Sequence, residues 1–148
     1  MDDAQLDSLI AETRAKSKLL DGDHVRRDAP MEWSHIEELE RANNIVLDAQ
    51  YRRFLAKYGA GDFLYSQVYS LDPDSGWSLW RECEFLTGVG SNVLPFSDNG
   101  CGDYLAFMVI NGKCSGRIYW LDHELDYSIS DSEYKDFNHW FAECALRA

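Results

Sequence analysis

The residues best suited to chemistry lie in the second half of the chain. Asp98, Asp103, Asp122, His123 and Glu124 offer carboxylate oxygens and an imidazole, a donor set that suits a hard divalent cation. They fall in short runs, Asp98-Asn99-Gly100 and Asp122-His123-Glu124, that read equally well as turns flanking strands. His123-Glu124 opens like the helix of a zinc protease, but position 127 is Tyr where a second histidine is required. Cys101 and Cys114 could meet near His123 at the ends of a hairpin. Zinc sites normally present closely spaced ligand pairs, and Cys83, Cys101, Cys114 and Cys144 supply none. Asn99-Gly100-Cys101-Gly102-Asp103 has the glycines of a phosphate cradle, yet it runs into a strand with an acid at its edge, so tight-turn geometry accounts for it. No Gly-x-Ser-x-Gly elbow occurs. His24, His35 and His139 fall in a loop, near a helix start and in a helix, where surface or hydrogen-bonded roles are the simpler account. Nothing in these patterns compels catalysis, and we expect no enzyme, no metal and no cofactor.

Recognition is the better-supported chemistry. Trp77 and Trp80 follow the polar turn Asp72-Pro73-Asp74-Ser75-Gly76 and sit beside Arg81, Glu82 and Glu84. Exposed aromatics ringed by charge anchor protein interfaces, although the same residues would serve to plug the edge of a core. Recognition residues tend to occupy loops. The candidate contacts are therefore Asp72, Asp74, Trp77, Trp80, Glu82, Glu84, Asp98, Asp103, Asp122, Glu124 and Asp126.

Bulk composition narrows the partners. The 148 residues carry 14 Lys and Arg against 26 Asp and Glu, a net charge of −12. Such a surface repels phosphate backbones and anionic lipid, which leaves a basic protein as the favoured partner and sets aside nucleic acid and membranes. Solubility alone is the plainer account of the charge. Apolar residues make up 45% and aromatics 14%, too many for a disordered chain. At this length roughly two-thirds of the unfolded surface can be buried, enough for one core. No run approaches the ~18 apolar residues that span a bilayer. The acidic start, Met1-Asp2-Asp3, is unlike a secretory signal, so a cytoplasmic location is expected, with the thiols reduced and mostly buried.

The elements that must position these residues follow from periodicity. Leu6, Leu9, Ile10, Thr13 and Leu20 predict an amphipathic helix over 3–20, and a polar loop runs from Asp21 to Pro30. Ser34-His35-Ile36-Glu37 fits a capping box and launches a helix to about Ala42. Asp48 caps a further helix whose inner face is Tyr51, Phe54, Leu55 and Tyr58, with Gly59 at its end. Phe63–Tyr69 reads as a strand, 77–87 as short helix or irregular chain, and Val93–Phe96 as a short or edge strand. Tyr104–Ile110 is apolar enough for a central strand. Asn111-Gly112 turns the chain, and Gly116 closes the loop before Arg117–Leu121, which makes a hairpin. Phe137, Trp140, Phe141 and Cys144 predict a last helix capped by Asp131 or Ser132, and Trp33, Trp120 and Trp140 are expected in the core. Helices first, then strands, then one helix argue an α+β fold, helices packed on a twisted, mainly antiparallel sheet.

These segments resemble a known family. Ile36-Glu37-Glu38-Leu39-Glu40, Leu47, Tyr51-Arg52-Arg53-Phe54-Leu55 and Tyr58-Gly59-Ala60-Gly61 are similar to the opening signature of the SUKH superfamily, the Smi/Knr-type domain. Leu94-Pro95-Phe96, Gly100-Cys101-Gly102-Asp103-Tyr104 and Gly116 to Glu124 resemble its later segments. Asp48 stands where the family prefers Pro, and Tyr58-Gly59-Ala60-Gly61 replaces Asn-Gly-Gly; both keep a cap and a turn. The resemblance implies an α+β domain over residues 31–148, with residues 1–30 as a helix-and-loop extension of one folded unit. It further implies a bacterial immunity protein that neutralises a cognate toxin domain, often a nuclease, with a regulatory or scaffolding module of the same fold as the alternative. A small metal-dependent hydrolase built on Asp98, Asp103, His123 and Glu124 is the third reading. The family has no established catalytic residues to carry over. A monomer or weak dimer is expected.

Overall fold

The computed structural model describes residues 1–83 and 92–148, and its hydrophobic centre is the aromatic face of one helix. That helix, α3 (Ala49–Tyr58), is capped as expected: the Asp48 carboxylate accepts the Tyr51 N–H at 3.1 Å. Tyr51, Phe54 and Leu55 are fully buried. The Tyr51 ring lies 6.1, 5.7 and 5.4 Å from those of Phe96, Phe107 and Phe137, and its hydroxyl donates to the Tyr69 carbonyl.

The first helix starts where its periodicity predicts and ends early, and the second starts without the expected cap. α1 (Asp3–Lys16) carries the chain's capping box, with Asp2 and Gln5 exchanging side-chain and backbone bonds at 2.8 and 2.9 Å. It stops at Lys16, four residues short of the expected end, but Leu6, Ile10 and Leu20 are all buried in the common core. In α2 (Trp33–Asn43) Ser34 caps nothing. Met31 N–H is fixed to the Leu55 carbonyl at 3.0 Å, so the helical turn begins at Glu32, whose carbonyl accepts the Ile36 N–H at 3.1 Å. Trp33 consequently projects outward, 47% exposed, with the Arg52 guanidinium 5.0 Å over its ring.

The predicted strand 63–69 is replaced by two two-residue strands, β1 (Gly61–Asp62) and β2 (Gln67–Val68). Phe63 turns into the core against Phe54 and Phe141, at 5.2 and 4.9 Å, and a turn closed by Phe63 N–H to the Ser66 carbonyl reverses the chain. The short helix α4 (Leu79–Glu82) accounts for part of the ambiguous stretch 77–87; residues 84–87 lie outside the described residues.

The main sheet is antiparallel, in the order β3 (Val93–Asp98), β4 (Tyr104–Ile110), β5 (Lys113–Asp122), β6 (Ser128–Asp131). Asn111 and Gly112 both have positive φ, 51° and 77°, as a two-residue hairpin turn of the I′ type requires. The turn is that tight, so β5 begins at Lys113, and Gly116 (φ +77°) sits in a bulge where the register steps from Val109–Cys114 to Phe107–Ile118. β6, which its polar Ser-Ile-Ser-Asp sequence conceals, pairs along β5 with every residue exposed.

The closing helix α5 (Phe137–Trp140) widens into a π-helical turn, Phe141–Ala145. Its cap is Asp136, which accepts the His139 N–H at 2.8 Å. Asp131 and Ser132 are unavailable for that role, because one pairs with Tyr119 in the sheet and the other donates to the Ile118 carbonyl. Trp140 is fully buried, whereas Trp120 is only half-buried on the sheet. Cys83 and Cys114 are buried, Cys144 half-buried and Cys101 exposed, all four as free thiols. No helix among the described residues is long and apolar enough to cross a membrane.

Candidate functional site

Sheet register gathers the later carboxylates. Asp98 ends β3 and pairs with Tyr104 at the start of β4, which pairs with Leu121 near the end of β5; Asp122 in turn faces Ser128 at the start of β6. Asp98, Asp103 and Asp122 therefore share one end of the sheet, joined by Glu124 and Asp126 from the short helical turn His123–Leu125 and the residue after it. Five carboxylates and one imidazole share that end of the sheet.

Asp98, Asp103 and Asp122 are held by local bonds. The Tyr69 hydroxyl donates to Asp98, whose second oxygen accepts the Gly100 N–H at 2.9 Å. Asp103 accepts the His123 ring at 2.6 Å, the His123 N–H at 3.0 Å and the Asn99 amide at 3.1 Å. Asp122 caps the turn through the Glu124 N–H at 2.9 Å. Gly102 (φ +102°) passes so close beneath His123 that a Cβ there would lie 3.0 Å from the ring. The His123 hydrogen bond is the main cause that holds the Asp103 carboxyl below its usual range, and Asp103 in return raises the His123 imidazole. One ligand atom each of Asp103, Asp122 and His123 lies within 4.8 Å of the others. Asp103 and His123 bond to each other directly, so the pair stands as a surface ion pair whenever the imidazole is protonated.

The earlier candidates form a second group. Asp72 accepts from His35 of α2 at 2.8 Å and from the Asp74 N–H at 2.9 Å, while Asp74 itself is exposed. Burial is the largest single influence on Asp72 and opposes its charge, but the His35 bond, the Asp74 N–H and the nearby imidazole together outweigh it and the carboxyl is lowered; the same His35 bond raises His35. Trp77 is half-buried and packs against the core, the plugging role, whereas Trp80 is 41% exposed with its indole N–H bonded to the Leu71 carbonyl at 2.9 Å. Glu82 is exposed, and Glu84 lies outside the described residues.

Tyr104 joins the two groups. Its hydroxyl donates to the Glu82 carbonyl at 3.3 Å, and its ring lies 6.4 Å from Tyr69 and 6.2 Å from Tyr127. Sequence reasoning missed this tyrosine bridge and the His35–Asp72 bond. The only signal for the first was the position of Tyr104 beside Asp103, and for the second there was none, since 37 residues separate the partners. The resulting surface carries an anion-rich end with aromatic rings between its parts, an arrangement that can attract and seat a cationic macromolecule.

Among known proteins, residues 34–141 match the family model described as SMI1-KNR4 cell-wall. The match runs from α2 into the first residue of the π-helical turn and leaves α1 outside it. No curated protein matches the chain.

Proposed function

The chain belongs to the SMI1-KNR4 (SUKH) family, and on that premise we propose that it is an immunity protein, a cytoplasmic binder that neutralises one basic toxin domain by covering its working cleft. The observation that carries this reading is the convergence of Asp98, Asp103, Asp122, Glu124 and Asp126 on one end of the sheet. An enzyme that acts on nucleic acid holds phosphate in a basic cleft, and a protein of net charge −12 with its acids gathered at one end is the electrostatic complement of such a cleft. Charge of this kind mainly accelerates encounter and rejects wrong partners; desolvated aromatics such as Trp80 then slow dissociation. An interface of roughly 800 Å² on each partner is ordinary for such a pair. No bond need be made or broken by this chain for it to act.

The test is co-expression in bacteria with the toxin domain encoded beside it. Restored growth with the pair, together with a one-to-one complex in light scattering, supports the reading. A neighbouring toxin that kills as efficiently in the presence of this protein overturns it. A constitutive partner encoded elsewhere would instead place the chain among regulatory modules of the same fold.

A further inference from the structure

A groove of about 860 Å³ opens between the β1–β2 hairpin, the Asp98–Gly100 turn and the C-terminal helix. A cavity of that size takes a small ligand or a few residues of chain, not the face of a globular domain. Among the described residues its lining holds the rings of Tyr65, Trp120 and Tyr134 and the carboxylates of Asp62, Asp98 and Glu143, against the guanidinium of Arg147 and the imidazole of His24. Trp140 also lines it. That residue is fully buried, and its indole N–H has no hydrogen-bond partner among the described residues. A donor buried without an acceptor is a standing cost to the fold, and native proteins rarely leave one without a reason.

We propose that this groove receives a short, extended, basic segment of the partner protein. The excess of carboxylates selects Lys and Arg side chains. The aromatic walls take their alkyl stems and cationic heads, as Tyr65 already takes Arg147, whose guanidinium lies 4.0 Å from the ring centre. A main-chain carbonyl of the segment accepts from Trp140 Nε1, which it reaches as the lining side chains part. Asp98 belongs both to this groove and to the acidic end of the sheet, so the two surfaces are continuous and one partner can engage both. The inference rests on the proposed basic partner and names the part of it that is gripped.

The test uses ¹⁵N-labelled full-length protein titrated with an acetylated Gly-Arg-Gly-Lys-Gly amide, and with the Gly-Glu-Gly-Asp-Gly peptide as the acidic control. The basic peptide is expected to move the Trp140 indole resonance downfield in a saturable way and to leave that of Trp33 unmoved. Trp140→Phe assigns the signal; should that variant not fold, Phe replacements of the other four tryptophans assign it by elimination. Asp62→Asn with Glu143→Gln weakens the peptide by about three- to tenfold. Equal binding of the acidic peptide, no saturable binding, or shifts confined to Asp103–Asp126 with the Trp140 signal unmoved each overturn the groove assignment. Those outcomes are independent of growth rescue by co-expression, on which the immunity reading stands or falls.

Discussion

Asp103 holds His123 twice, through the backbone N–H at 3.0 Å and through the ring at 2.6 Å. One carboxylate thereby fixes both the main chain and the side chain of the residue at which β5 leaves the sheet. Two of the candidate cation ligands, Asp103 and His123, are thus occupied with each other, and the negative end of the sheet contains an imidazole whose charge depends on pH.

The first prediction concerns that imidazole. Asp103 raises His123, so its favourable charge is fully present below the usual imidazole value of about 6.5 and fades as pH rises through the higher folded value. His123 lowers Asp103, so the carboxylate's share is present above about 3.9 and is lost as pH falls through its depressed value. The pair is complete between those limits. An NMR titration should show His123 titrating above the ordinary value, and Asp103→Asn should return it toward about 6.5. An unchanged midpoint in the variant would refute the coupling.

The second concerns the attachment of α1. Asp7 accepts from Arg53, from Lys57 at 2.7 Å and from the Tyr58 hydroxyl at 2.5 Å, all on α3. Burial works against its charge, but these donors prevail and hold the carboxyl at about 2. Asp7→Asn is expected to cost about 1–2 kcal/mol in urea unfolding at pH 7. The wild-type advantage should shrink as pH falls from about 4 toward 2, since a lowered carboxyl loses its contribution on protonation.

The third concerns Glu40, a buried acid that binds the Leu47 N–H at 2.9 Å and Arg52 at 3.0 Å. Glu40→Ala removes the Leu47 N–H acceptor and leaves Arg52 with the more distant Glu37 at 3.8 Å and the Trp33 ring, and should destabilise by about 1–3 kcal/mol. Glu40→Gln retains an acceptor for Leu47 and should recover part of that loss. Equal melting curves for Glu40→Ala and wild type would contradict the arrangement.

The fourth concerns encounter with a basic partner. Asp122→Asn, Glu124→Gln and Asp126→Asn together remove three charges from exposed or half-exposed positions and should leave stability within about 0.5 kcal/mol. Stopped-flow association with the partner should slow by about tenfold at low salt and lose much of its salt dependence. A rate unchanged by the triple substitution would move the contact surface away from the sheet end.

The features legible in the chain were those governed by neighbours in sequence. Asp48 caps α3 because an aspartate three residues before a free amide can reach it, and Tyr51, Phe54 and Leu55 face inward because helical pitch puts them on one side. Asn111-Gly112 folds a hairpin because both residues accept positive φ. The acid excess and the α+β order of elements were equally plain in the sequence. Ser34, Phe63–Tyr69 and β6 read otherwise than they folded. Whether a hydroxyl caps, an aromatic turns inward or a polar stretch pairs was decided by partners far along the chain: Leu55 for Met31, Phe141 for Phe63, β5 for β6. The same holds for function. Composition showed how many carboxylates there were, but only antiparallel register brought Asp98, Asp103 and Asp122 to one end, and only the packing of the C-terminal helix beside the β1–β2 hairpin made a groove lined by Trp140, whose indole N–H is unpaired among the described residues. Charge is a sum over residues and can be counted; proximity depends on which distant surfaces exclude water together, and no local pattern carries that.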